Sequence, residues 1–141
     1  MKEINRRSAL ALGGTFAAMP LVSWAAPAAA QGYGPTEGKE IFPGVRVVEL
    51  GKRDSMIKAY KNVEMIDVVF QPKAAFPVGD PMEHDMVCQV TAGELQVKAG
   101  DMEFAAKIGD VWSCGKDATT EGATNNGSVV AVMRVIYLKT A

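Results

Sequence analysis

The stretch from Glu83 to Leu95, EHDMVCQVTAGEL, holds the only histidine of the chain and one of its two cysteines. His84, Met86 and Cys88 stand at alternate positions, so a strand here would send all three side chains to one side. Downstream, in VWSC, Trp112 and Cys114 have the same spacing. An imidazole can move protons near neutral pH. Thiols and a thioether suit soft metal ions, and two cysteines in an exported chain suit a disulfide. In GDPMEHD, Asp80, Glu83 and Asp85 surround His84. A carboxylate beside an imidazole raises its pKa and can orient it as a general base. Glu121, within TTEGATNNG, adds a further carboxylate among hydroxyls and amides.

Three readings of this set stay open. In the first, Cys88 and Cys114 form a disulfide, closing a loop of about 27 residues worth on the order of 3 kcal/mol. In the second, Cys88 and Cys114 with Met86 or His84 hold a transition metal, with Cu(I) the best match to such ligands. In the third, Met86 and both cysteines fill an apolar core and no metal binds. The chain has no nucleophile elbow, phosphate loop or closely spaced cysteine pair.

The elements that must position these residues read as strands. VRVVEL (45–50), VEMIDVVF (63–70), MVCQVT (86–91), ELQVKA (94–99), MEFAAK (102–107), VWSC (111–114) and SVVAVMRVIYLK (128–139) are short and rich in β-branched and aromatic residues. Gly, Pro, Asn and Asp separate them, which predicts an all-β domain. AGE (92–94), AGD (99–101) and IGD (108–110) each place a glycine where a tight reversal needs positive φ, and NNG (125–127) gives the same hairpin signal. Successive hairpins predict a meander closed into a barrel or a two-sheet jelly roll.

Residues 1–30 read as an export signal: Lys2, Arg6 and Arg7, then an apolar run, then Ala28-Ala29-Ala30 as the cleavage site. The run is too interrupted by Gly13 and Gly14 to span a bilayer, so no membrane anchor is expected in the mature form. Arg6-Arg7 resembles a twin-arginine signal, with Ala9 where that pattern prefers an aromatic; a general secretory signal is the alternative. Either implies a periplasmic or secreted bacterial protein. Residues 31–40 read as a flexible leader and 41–141 as the barrel. Loss of Lys2, Glu3, Arg6 and Arg7 leaves 12 basic and 15 acidic residues. Without a basic stripe, nucleic acid is excluded as a partner.

VCQVTAGELQVKAGDMEFAAKIGDVW is similar to the stretch that joins the two motifs of small cupins, and NNGSVVAVMRVIYL to the turn and strand that follow the second. The resemblance implies a cupin-like β-barrel (jelly roll). Its usual metal site takes two histidines and a glutamate from the first motif and a histidine from the second. Here the glutamate position falls on Met86, the histidine pair near Asp80 and Met82, and the last histidine on Thr120 or Glu121. One histidine cannot make a three-histidine site. With Met86 at an inward position, His84, Cys88 and Val90 follow inward, and Trp112 and Cys114 join them in the pocket, with Glu121 at the rim.

The function expected is an exported barrel that binds a small molecule or soft metal in its pocket. The alternative is an enzyme: a metal-free isomerase or lyase using His84 with Glu83 or Glu121, or a mononuclear-metal oxygenase with atypical ligands. A homodimer is implied only by the resemblance; an edge strand near VRVVEL could serve it or could equally be covered by the leader.

Overall fold

Alternation of apolar and polar residues along short β-branched runs leaves each strand one face to bury. The structure, a computed structural model, describes residues 32–141. The expected export signal lies outside these residues. Ten strands form: β1 (Lys39–Phe42), β2 (Val45–Asp54), β3 (Asn62–Phe70), β4 (Ala75–Phe76), β5 (Asp85–Ala92), β6 (Glu94–Ala99), β7 (Met102–Lys107), β8 (Val111–Cys114), β9 (Gly122–Thr124) and β10 (Ala131–Lys139). A six-stranded sheet of order β1-β2-β3-β10-β5-β8 packs on a four-stranded sheet of order β4-β9-β6-β7. All neighbours are antiparallel. Among the described residues no helix forms, and Ser55–Tyr60 passes as turns.

The core lies between the two sheets. Ile66, Val68 and Phe70 of β3, Met86, Cys88 and Val90 of β5, and Leu95 and Val97 of β6 are buried in one cluster. Each sits at alternate positions of its strand, as period two requires. Full burial of such side chains is worth about 1.5–3 kcal/mol each.

The glycine turns differ from the expected run of hairpins. Gly100 (φ +63) does close one, with Ala99 paired to Met102. Gly93 instead stands between β5 and β6, which belong to different sheets. There the chain turns a corner with φ +68, and a Cβ would lie 2.8 Å from the Val130 oxygen and the Ala131 Cα. IGD makes the same change of sheet between β7 and β8. NNG also crosses between sheets, from β9 to β10. Asn125 is buried there and donates through Nδ2 to the carbonyls of Phe70 (3.1 Å) and Val129 (2.8 Å). Its Oδ1 accepts from the Gly127 amide at 3.0 Å. A glycine followed by a polar residue supplies local curvature, and curvature alone does not say which sheet the next strand joins. The result is the two-sheet jelly roll.

The segment expected as a leader is partly built into the domain. Lys39 and Glu40 belong to β1, which pairs with β2 and takes the sheet edge expected near VRVVEL. Upstream, the Tyr33 hydroxyl donates to Asp67 Oδ2 at 2.5 Å on the outer face of β3. Asp67, only 1% exposed, also accepts two hydrogen bonds from Arg134, each 2.9 Å long. Arg46 Nη1 donates to the Thr36 and Gly38 carbonyls. A buried carboxylate needs such partners, and the leader supplies one of them.

Candidate functional site

Two connected hollows occupy the open end of the jelly roll. The inner one is a cavity of about 70 Å³ whose wall includes Met82, Met86, Cys88, Trp112, Cys114 and Glu121. The outer one is a cleft of about 410 Å³ edged by Glu49, Glu64, Asp80, Glu83, His84 and Lys139. Ile41, Val47, Phe76, Met82, Met86 and Tyr137 belong to both walls, so the cleft is the mouth of the cavity.

The sulfur groups of the inner wall come from β5 and β8. Their register sets Met86 opposite Cys114 and Cys88 opposite Trp112. Met86 and Cys88 point inward because β5 alternates buried and half-buried residues along its length. Trp112 is half-buried, with its ring edge-on to Phe104 at 5.7 Å.

The disulfide of the first reading is not formed: Cys88 and Cys114 are both buried free thiols. The register explains this. The two cysteines are diagonal rather than directly opposed, and diagonal Cα atoms in an antiparallel pair lie about 7–8 Å apart. A disulfide needs less than about 7 Å. The neighbouring Cys114 side chain, and then burial, push the Cys88 thiol well above its ordinary range. Cys114 donates its S–H to Glu121 Oε2 at 3.6 Å. Glu121 is therefore a buried wall residue, 7% exposed, and not a rim residue as expected. The final short strand β9 begins immediately after it and draws it inside by pairing with β6.

His84 lies outside this cluster. It precedes β5 and lines the cleft but not the cavity. Its side chain is 27% exposed, with Nε2 4.0 Å from Glu83 Oε2. Its ring meets Tyr137 edge-on at 5.7 Å. Glu83 is thus beside the imidazole as expected, whereas Glu121 lines the other hollow. Asp80 edges the same cleft. Asp85 is used structurally: it accepts from the Lys116 amide at 2.8 Å and from the Tyr60 hydroxyl at 3.3 Å.

The mouth contains residues that the sequence reading passed over. Glu64 pairs with Lys139 across β3 and β10, and the Lys139 ammonium lies 5.6 Å from the centre of the Tyr137 ring. Burial, followed by the neighbouring Cys88, Glu64 and Glu83 side chains, holds the Tyr137 phenol above its ordinary pKa. A signal existed: period two in VEMIDVVF puts Glu64 on the face of Ile66 and Val68. Met82 and Met133 likewise join the inner wall.

His84 is the only imidazole of the chain, so a site of three histidines cannot form. Among the described residues no three His, Cys, Asp or Glu side chains converge as a ligand set.

The fold and its open end define the class: this is a cupin jelly roll. Solved structures that share it include an RmlC-like cupin from Shewanella frigidimarina, with 17% identity and a TM-score of 0.56 over 74% of this chain and 86% of that one. KdgF from a Halomonas species shares 17% identity at a TM-score of 0.57, over 72% of this chain and 84% of that one. A sugar phosphate isomerase of the cupin superfamily from Silicibacter pomeroyi shares 19% identity at 0.57, over 74% and 70%. At such identities the likeness is one of fold. No family model matches the sequence, and no curated protein does.

Proposed function

We propose that this chain is an exported cupin-fold binding module. Its ligand would be a small molecule with a short apolar end in the cavity and a polar, preferably cationic, head at the mouth. What supports the reading is the junction of the two hollows: an inner wall of sulfur, aromatic and aliphatic groups opens directly into a charged cleft. Sites for small molecules have this form, an apolar concavity with a few polar groups that fix orientation. The cavity of about 70 Å³ is roughly half the ~150 Å³ that accommodates benzene, so it suits a short aliphatic chain rather than a ring. At the mouth, Glu49, Glu64, Asp80 and Glu83 outweigh Lys139, which favours an amine over a carboxylate.

Trp112 is the only tryptophan beyond the expected signal segment, and it lies in the cavity wall. Its fluorescence therefore serves as the readout. Titration with n-butylamine should give a saturable change, with 1-butanol weaker and butyrate weakest. A flat response to all three would remove the reading.

A second reading, a metal-free isomerase or lyase, has its own support. His84 stands at the mouth beside Glu83 and Tyr137, where a ligand's head would lie, and one structure of the same fold is a sugar phosphate isomerase. On that reading His84→Ala abolishes any turnover found while leaving the fold intact. Undiminished turnover in the variant would dismiss His84 from the chemistry.

A further inference from the structure

The inner wall concentrates sulfur. Met82, Met86, Cys88, Cys114 and Met133 all border one cavity of about 70 Å³. Three of them stand together at the β5–β8 junction: Met86 lies directly opposite Cys114, and Cys88 lies diagonal to it. Two of these sulfurs can become thiolates, and the third is a neutral thioether. Both cysteines are buried, at 2% and 8% exposure, yet neither is lost to a disulfide. Before metal binds, Glu121 holds the Cys114 sulfur at the cavity wall through its 3.6 Å contact.

The geometry points to a Cu(I) site here: the thiolates of Cys88 and Cys114 bind one Cu(I) ion, and the Met86 thioether completes the coordination. The donor chemistry selects the ion. Calcium and magnesium need six or more oxygens, which this wall does not offer. Zinc takes four ligands, usually cysteine, histidine or carboxylate, and no such convergence exists among the described residues. Copper in its monovalent state accepts two or three sulfurs, and soft ligands select it. Binding breaks two S–H bonds and forms two S–Cu bonds. Both protons pass to water, and copper keeps its oxidation state. Met82, shared by the cavity and the cleft, provides a sulfur on the way in.

This inference rests on the proposed binding role of the cavity and adds a metal at its sulfur-lined wall. It also separates His84 from the site, since His84 borders only the cleft. The test uses the full-length chain, reduced and anaerobic. Cu(I) is supplied as its acetonitrile complex against the chromophoric chelator bicinchoninate. One Cu(I) per chain is expected. Cys88→Ser and Cys114→Ser should each weaken binding by more than about 100-fold, because even partners that only orient a ligand are worth 10–100-fold. His84→Ala should bind as tightly as the parent protein. X-ray absorption of the loaded parent protein needs no variant and should report a sulfur-only first shell. Nitrogen or oxygen in that shell, unchanged binding by both serine variants, or no uptake by protein with two titratable thiols would each overturn the site. If Cu(I) fails while n-butylamine saturates the Trp112 signal, the metal falls and the binding pocket stands; if both fail, both readings fall.

Discussion

Replacing Tyr33 with phenylalanine tests whether the segment before β1 is held by one hydrogen bond or by general packing. The substitution keeps the ring and removes only the hydroxyl, which donates to Asp67 Oδ2 at 2.5 Å. Asp67 is 1% exposed and already ion-paired to Arg134, so the lost donor served a charged acceptor. Hydrogen bonds to charged groups contribute about 1.5–3 kcal/mol. Tyr33 is only half-buried, and solvent screening reduces the expected loss to about 1–2 kcal/mol. For a domain of this size that lowers Tm by roughly 4–8 °C. The pH dependence is the sharper signature. In the folded protein the Tyr33 pKa is raised from 10.0 to about 12, first by burial and then by its bond to Asp67. Between these values the unfolded chain releases the phenolic proton while the folded chain keeps it, so rising pH favours unfolding. The stability advantage of the parent over Tyr33→Phe should therefore be full below pH 10 and shrink steadily toward pH 12. Parallel urea melts of the two proteins at pH 8, 9, 10 and 11 measure that gap, and titrations common to both cancel. A gap that stays constant from pH 8 to 11 would refute the reasoning.

Two further outcomes follow from the corners and the thiols. Gly93→Ala should destabilise the domain by about 2–4 kcal/mol, read as a lowered urea midpoint. It forces a side chain into positive φ, and the new Cβ meets backbone atoms 2.8 Å away; a loss under 0.5 kcal/mol would contradict the close approach. Purified protein treated with Ellman's reagent without reductant should yield two thiols per chain on unfolding and almost none while folded, because both are buried. Zero thiols on unfolding would mean that the strands do accommodate a disulfide.

What was legible in the sequence depended on periodicity, and what was not depended on partners far along the chain. The alternation in MVCQVT shows which side chains of β5 share a face, and Met86, Cys88 and Val90 are buried together. The jelly-roll class followed from short β-branched strands and from the spacing of the turns. The turns themselves were ambiguous, since Gly93 at a corner and Gly100 in a hairpin have nearly the same φ. Glu121 was misjudged because its place depends on β9, three residues long and without aromatic or aliphatic β-branched residues to announce it. The role of Tyr33 could not be read either. Its acceptor is 34 residues away, on a face that looks polar and exposed until the leader covers it.

The position of β10 has a consequence for how the molecule comes into being. This last strand lies in the middle of the larger sheet, hydrogen-bonded to β3 on one side and β5 on the other. Until the ribosome has released the chain as far as Lys139, those two strands have open, apolar edges that invite mispairing. Assembly of the sheet therefore waits until β10 has emerged, and a nascent chain stalled before Ala131 would depend on chaperones to stay soluble.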